Sequence, residues 1–315
     1  MKGIMNISVV VPVYNESSNI FNLEAEIRSV LTSTSLSWEC IWVDDGSQDS
    51  SWQEIKKLKF PNRGISLKNQ SGQTTATMAG IDFSKYDFIV TLDGDGQNDP
   101  KDILNFVAKI QENSKIDLIQ GFRTTRYESN YLRKVFSKLA NKLVQRLTGK
   151  EIIDLGCSIR LFRKDLITDL RLTGEMHRLL ALYLLDGGAR IIQVPVAHRP
   201  RVHGSSKYGF SRVLKLSADV ILYKALKSIF INPMYTFSKF ALSGFILSFI
   251  AALLAVTLRV TGVKNYFDGN LITVSILLFS TSSIFIGLGL IGEMLTRVIF
   301  SSNRSYHYGV SNQHN

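Results

Sequence analysis

Two long stretches without a charged side chain constrain this chain more than any other feature. Phe240 to Leu258 runs 19 residues without Asp, Glu, Lys or Arg, and Leu271 to Gly292 runs 22. At about 1.5 Å per helical residue, each approaches or exceeds the roughly 30 Å hydrocarbon core of a bilayer. Both are rich in Leu, Ile, Phe, Ala and Gly, and neither contains proline. A core helix of a water-soluble domain normally keeps a charged face over this length, so the pair predicts two transmembrane helices. Flanking charge sets their orientation. Arg212, Lys215, Lys224, Lys227 and Lys239 precede the first run, and Arg297 and Arg304 follow the second. The connector carries only Arg259 at its edge, Lys264 and Asp268. The basic excess therefore predicts an inner-membrane protein with its large N-terminal part and its C-terminal tail on the cytoplasmic side.

The formal charge of +11 and a pI near 9.6 call for an anionic partner, and nucleic acid is the first class to test. It fails, because the basic residues gather around the two apolar runs and in one loop. They are not interleaved with aromatics in a nucleic-acid-binding module. Ile7–Val13 is too short for a secretory leader and ends in Pro-Val-Tyr-Asn-Glu, so it reads as a buried parallel strand. Cys40 and Cys157 lie far apart with no metal or redox spacing, which fits two inert thiols in a reducing compartment.

Apolar runs bounded by turn residues recur at Ile7–Val13, Cys40–Val43, Ile65–Leu67, Phe88–Leu92 and Leu118–Gly121. Helical patterns separate them at Ser18–Leu31, Ser51–Leu58, Gly72–Phe83 and Pro100–Asn113, the last with Asp99 as N-cap and Pro100 at the first helical position. Such alternation predicts βαβ units and a mostly parallel α/β sheet. In that architecture the ligand lies beyond the carboxyl ends of the strands.

Those strand ends are polar. The first closes in Pro12-Val13-Tyr14-Asn15-Glu16, the second in Asp44-Asp45-Gly46-Ser47-Gln48-Asp49, and the fourth in Asp93-Gly94-Asp95-Gly96-Gln97. An isolated Asp-x-Asp is most often a turn with no ligand. After a buried strand it becomes a candidate Mg²⁺ or Mn²⁺ site, since these cations take one or two carboxylates plus substrate phosphates. Gly94 and Gly96 leave room for a diphosphate near the backbone.

VPVYNE, VDDGSQD and TLDGDGQNDP, in this order and spacing, resemble family 2 glycosyltransferases of the GT-A fold. GEMHRLLALYL at 174–184, RPRVHGSSKYG at 199–209 and the closing GLIGEMLTRV extend the likeness to the polyprenyl-phosphate glycosyltransferases. The resemblance implies a nucleotide pocket of Pro12, Tyr14, Glu16, Asp44, Asp93 and Gly94, with Tyr14 against the base and Asp44 accepting a hydrogen bond from it. It implies Asp93, Asp95 and Gln97 as metal ligands, Asp95 being essential to catalysis. Arg201, His203 and Lys207 would clamp the diphosphate. Arg123, Arg133, Arg160 and Ser206 would meet the acceptor phosphate, with Asp154 beside them as base or orienting group. His177 is expected only as a support residue. The implied reaction inverts the anomeric centre, moving a sugar from a nucleotide sugar, UDP-glucose first, to undecaprenyl phosphate. A homo-oligomer is a further expectation of the resemblance.

A phosphate acceptor suits these residues, because a phosphomonoester is already ionised near neutral pH and needs guidance more than a base. Tyr131–Thr148 and Phe210–Ile231 read as basic amphipathic helices suited to a headgroup plane. The expected division is therefore a catalytic domain over 1–209, a juxtamembrane helix over 210–234, two spans over 235–300 and a tail over 301–315. A processive polysaccharide synthase would need a Gln-x-x-Arg-Trp motif on its acceptor side. All three tryptophans, Trp38, Trp42 and Trp52, precede the Asp-x-Asp, which excludes it. An inactive membrane scaffold would be expected to lose a metal carboxylate, and both are present.

Overall fold

The computed structural model describes residues 5–124, 145, 152–167, 176–200, 222–225, 228–229, 232–262 and 268–302. Most of the two expected amphipathic helices, Tyr131–Thr148 and Phe210–Ile231, lies outside these residues. The described residues fall into two compact units that divide near residue 220.

The first unit is built on seven strands: β1 (Asn6–Val13), β2 (Ser37–Asp44), β3 (Asn62–Ser66), β4 (Phe88–Thr91), β5 (Leu118–Arg123), β6 (Arg160–Arg163) and β7 (Ile191–Val196). Helices α1 (Ile20–Thr32), α2 (Ser51–Lys57), α3 (Gln73–Asp82), α4 (Asp102–Glu112) and α5 (Leu180–Asp186) connect them. The strands lie in the order β3-β2-β1-β4-β6-β5-β7. All pairings are parallel except those of β6, which runs against both β4 and β5. Successive strands step outward from β1 in one direction, then jump across it to β4. The β1/β4 junction is therefore the topological switch where a crevice opens at the strands' carboxyl ends.

Alternation puts Ile7, Val9 and Val11 on one face of β1 and Val10 on the other, and all four are fully buried. A strand covered on both faces needs such a continuous apolar run. Trp42 and Phe106 fill the larger layer, and the Trp42 indole N–H donates to Asn62 Oδ1 at 3.0 Å. On the opposite face α3 approaches closely enough that a Cβ on Gly80 would collide with Val10 Cγ1 and sit 3.1 Å from Val43 Cγ2. Gly80→Ala is expected to destabilise the domain by about 1–3 kcal/mol through overpacking, read as a lowered thermal midpoint in detergent.

Several boundaries differ from the sequence pattern, and β2 and α4 show why. β2 extends back to Ser37, because Trp38 and Glu39 also find parallel partners on β1. Helix α4 begins at Asp102, not Pro100. Asp99 Oδ1 accepts the Lys101 N–H at 3.0 Å and its carbonyl accepts that of Asp102 at 3.1 Å, so Pro100 occupies a turn before the helix.

The second unit holds α6 (Pro233–Val260) and α7 (Asp268–Ser302), which contain the two uncharged runs. Ser248 pairs with Ser275 while Gly292 meets Pro233, so the helices run antiparallel. Small residues recur every seventh position along the contact, at Ala241, Ser248 and Ala255 on α6 and at Ser275, Ser282, Gly289 and Thr296 on α7. Each serine of the central pair donates its hydroxyl to the other's carbonyl, at 2.8 and 2.9 Å. Phe245 and Phe279 meet edge to face at 5.1 Å between centroids. Outward, Phe249, Leu253, Ile276 and Leu277 stay more than half exposed. A soluble core helix would bury these side chains. Both helices are long and apolar enough to cross a membrane, and their small-residue seam is how such helices pack in lipid.

Candidate active site

A cleft of about 400 Å³ opens at the carboxyl ends of β1, β4 and β5. Its first wall is the turn after β1, which contributes Pro12, Tyr14 and Glu16. Asn15 adopts a left-handed backbone with φ 52°, a conformation that Asn tolerates better than most residues. The loop after β2 holds this turn. Asn15 N–H donates to Ser47 Oγ at 2.9 Å, Glu16 N–H to Ser51 Oγ at 2.9 Å and Ser17 N–H to Asp49 Oδ2 at 3.2 Å. Burial works against the Asp49 carboxylate, but its hydrogen bonds from Ser51 and Ser17 hold its pKa below the usual value.

The two aspartates after β2 divide their work. Asp44 is buried at the end of the ladder, accepting from Ser47 N–H at 3.1 Å and Ser66 Oγ–H at 3.0 Å, and does not line the cleft. Asp45 lines it instead. Its carboxylate accepts the N–H groups of Ser71 and Gly72 at 2.7 and 2.9 Å, pinning the loop that carries Gln70 and Gln73 to the same wall. Gly46 makes this approach possible, since its φ is +69° and a Cβ there would lie 2.8 Å from the backbone of Asn69 and Gln70.

Asp93, Gly94, Asp95 and Gln97 follow β4 and line the cleft floor. Gln73 Nε2 donates to Asp93 Oδ1 at 2.6 Å, and Gln97 N–H donates to Asp95 Oδ1 at 3.1 Å. Gly94 is packed against β1, with a Cβ there only 2.9 Å from the Pro12 carbonyl oxygen. Its glycine thus answers a demand of the fold at this point. Gly96, at φ +70°, has no atom within 4 Å of where a Cβ would stand. Gln97 Nε2 donates to the Arg199 carbonyl at 3.3 Å, so its amide oxygen is the end left for a cation. Among the described residues, no three His, Cys, Asp or Glu side chains group to hold a metal by themselves.

The other wall is basic. Arg123, at the end of β5, forks onto Asp154: Nε to Oδ2 at 2.7 Å and Nη2 to Oδ1 at 2.9 Å. Asp154 also accepts from the backbone N–H groups of Arg123 and Gly156, at 3.3 and 3.2 Å. Burial lowers the Arg123 pKa, but the hydrogen bonds and charge of Asp154 outweigh it and hold the group above its usual value. Asp154 is buried behind this pair and does not line the cleft, whereas Arg123 does. His198, half-buried on the same wall, donates Nδ1–H to the Arg199 carbonyl at 3.1 Å. That tautomer leaves Nε2 as acceptor, 3.5 Å from Arg123 Nη1. Burial and then Arg123 lower the His198 pKa, favouring the neutral ring. Cys157 also faces the cleft, and burial, reinforced by Asp154, pushes its thiol up to about 11, so it stays protonated.

Arg160 lines a small adjoining cavity, together with Pro12, Gln73, Asp93 and His177. It is buried in β6 with Nε on Gln120 Oε1 at 2.7 Å, Nη1 on the His177 carbonyl and Nη2 on the Leu155 carbonyl at 3.2 Å, and it is not part of the cleft lining. Arg199 bridges Glu26 and Asp99 at 2.6 and 2.7 Å, tying α1 to the turn before α4. Arg133, Arg201, His203, Ser206 and Lys207 lie outside the described residues. Of the residues singled out from sequence, the cleft therefore gathers Pro12, Tyr14, Glu16, Asp93, Gly94, Asp95, Gln97 and Arg123. It adds Asp45, Gln73, Arg178 and His198, which sequence reasoning passed over. For Asp45, Arg178 and His198, positions one residue from Asp44, His177 and Arg199 were the available signal, and Gln73 had none.

Comparison with known proteins agrees with this layout. Residues 8–171 match the sequence pattern described as glycosyl transferase family 2. The dodecaprenyl-phosphate galacturonate synthase of Rhizobium johnstonii is 32% identical, covering 96% of this chain and 91% of its own. The undecaprenyl-phosphate 4-deoxy-4-formamido-L-arabinose transferase of Salmonella choleraesuis is 33% identical over 94% and 89%. Among solved structures, glucosyl-3-phosphoglycerate synthase of Mycobacterium tuberculosis, crystallised with Mn²⁺, uridine diphosphate and glucosyl-3-phosphoglycerate, superposes with a TM-score of 0.55. It is 22% identical and covers 70% of this chain and 78% of that one. At that identity the likeness carries the fold, a GT-A-like mostly parallel sheet with flanking helices.

Proposed function

This chain belongs to glycosyl transferase family 2, and from that premise we propose that it transfers a sugar from a nucleotide sugar to a polyprenyl phosphate at the cytoplasmic face of a membrane. The observation that carries the reading is one cleft at the strands' carboxyl ends that combines carboxylates with arginines. Glu16, Asp45, Asp93 and Asp95 line it together with Arg123 and Arg178. Relatives matching nearly the full chain, named for acting on dodecaprenyl or undecaprenyl phosphate, support the acceptor class. The two membrane-length helices suit a substrate with an isoprenoid tail.

The donor set of the floor fits a divalent cation. Asp93 and Asp95 offer hard oxygens, and the Gln97 amide is turned so that its oxygen can join them. Two carboxylates without a third acidic or imidazole ligand suit a Mg²⁺ or Mn²⁺ that completes its shell with substrate phosphates and water. Bound there, such an ion supplies neutralisation of the diphosphate leaving group. Solved relatives of the same fold hold Mn²⁺ or Mg²⁺ with uridine diphosphate, in support of a UDP-linked donor. Tyr14 and the wall around it would take the base.

For the chemical step, an ionised oxygen of the acceptor phosphate attacks the anomeric carbon. The bond to the diphosphate oxygen breaks, that oxygen takes the electron pair, and the anomeric centre inverts. Little deprotonation is required of the protein. Asp154, with its carboxylate engaged by Arg123, acts in this reading by orienting the guanidinium. The sugar is the finer question. UDP-glucose is the first expectation from the sequence, while the relatives are named for galacturonate and 4-deoxy-4-formamido-L-arabinose. Purified protein with Mg²⁺ or Mn²⁺ and undecaprenyl phosphate in nanodiscs should release UDP from one of these donors and form a lipid-linked monosaccharide. No reaction across a broad nucleotide-sugar panel would sink the proposal.

A further inference from the structure

We propose that Arg199 is a positioning residue for the cation site: from outside the cleft it fixes the orientation of the Gln97 amide and couples that ligand to Glu26 on α1. This rests on the transferase reading above and on the divalent cation that reading puts at the cleft floor.

The geometry begins where β7 stops. Beyond Val196 the chain leaves its ladder with β5 and pairs with the loop that follows β4. Ala197 N–H donates to Asp102 Oδ2 at 3.0 Å, His198 bridges Asn98 in antiparallel fashion, and Arg199 N–H donates to the Gln97 carbonyl at 2.9 Å. The Arg199 carbonyl in turn accepts from Gln97 Nε2 at 3.3 Å. A carbonyl can only accept, so the nitrogen end of the amide must face Arg199, and the oxygen end is the one left to bind a cation. The main chain and the side chain of Gln97 are thus both bonded to one residue.

That residue is anchored through its guanidinium. Nη1 meets Glu26 Oε2 at 2.6 Å and Nη2 meets Asp99 Oδ2 at 2.7 Å, two carboxylates from different elements. Neither Arg199 nor Glu26 lines the cleft, so both act through Gln97. Loss of a group that orients a metal ligand typically weakens metal binding about 10- to 100-fold. The anchor is part-exposed, with Asp99 at 18% and Glu26 at 44% in their side chains, so solvent screening puts the effect at the low end and makes the Glu26 arm the weaker one.

The test uses full-length protein in nanodiscs and reads bound Mn²⁺ by electron paramagnetic resonance, with and without UDP, so it needs no turnover. Arg199→Met should weaken Mn²⁺ binding about 10-fold, and Glu26→Gln about 2- to 5-fold even though Glu26 lies outside the cleft. Arg199→Lys holds one carboxylate at a time and should fall between Arg199→Met and wild type. The decisive comparison is made in a Gln97→Ala background, where Arg199→Met should change Mn²⁺ affinity by about twofold or less. Turnover of Arg199→Met should recover at saturating Mn²⁺, a change in the KM for metal and not in kcat. Equal weakening with Gln97 present and absent, or a lower melting temperature with unchanged Mn²⁺ affinity, overturns the proposal. If wild type binds Mn²⁺ in an Arg199-dependent way but moves no sugar from any donor, the positioning role stands and the transferase reading falls. If it moves sugar while Mn²⁺ affinity ignores Arg199, the transferase reading stands and the positioning role falls. A wild type that binds no Mn²⁺ overturns the positioning role and the cation site together.

Discussion

Asp95→Ala should reduce turnover by on the order of 10³-fold or more while the protein remains folded and membrane-inserted. The carboxylate sits on the cleft floor beside Asp93, and its charge is needed where a diphosphate gathers negative charge as it leaves. Within the fold Oδ1 accepts the Gln97 N–H at 3.1 Å, a part-buried bond whose loss costs about 1 kcal/mol. The melting temperature should fall far less than turnover does. Asp95→Asn keeps shape and one neutral oxygen, so it should fall between wild type and alanine. Calorimetry closes the argument, because the alanine variant should lose the dependence of UDP binding on Mn²⁺. Full activity in Asp95→Ala would remove the metal assignment altogether.

Asp154→Asn should harm the protein differently, through stability first. Asp154 is buried and gives both oxygens to Arg123, which is itself only 16% exposed in its side chain. Removing one member of a buried ion pair leaves the other charged and unmatched, at a cost of about 3–5 kcal/mol. For a domain of this size that lowers the melting temperature on the order of 10 °C. Turnover should fall as well, because Arg123 is no longer held in the cleft. The double variant Asp154→Asn/Arg123→Met separates the roles: it should regain much of the stability and none of the activity. A general base would behave otherwise. If Asp154→Asn melts like wild type, loses only kcat and abolishes the acid limb of the pH profile, Asp154 is the base and not the brace.

What the sequence made legible follows from which physical signals are local. Continuous apolar runs ending in turn residues are local, so β1, β2, β4 and β5 and the polar groups at their ends were readable. Long charge-free helices are local too. By contrast, β6 is four residues, Arg-Leu-Phe-Arg, with a charge at each end, and its antiparallel insertion between β4 and β5 depends on partners distant in the chain. The same limit governs the site. Nothing in Asp44-Asp45 says which of these two buried carboxylates will line the cleft, since that depends on where the pairing with Val13 and Ser66 stops. Arg160 had the composition of a phosphate contact, but three partners contributed by Gln120, Leu155 and His177 turned it inward. Arg178, the residue after His177, lines the cleft instead.

The reciprocal serines of α6 and α7 bear on how the chain enters its membrane. A serine hydroxyl on a lone helix in hydrocarbon has only its own helix's carbonyls to bond, and Ser248 lies about halfway along its helix. Here each hydroxyl answers the other helix's carbonyl, so the two segments are best matched to lipid as a finished hairpin rather than as helices inserted one after the other. The second helix would serve the first as a partner during biogenesis. Truncation between them would cost Ser248 its partner on the other helix and return its hydroxyl to its own.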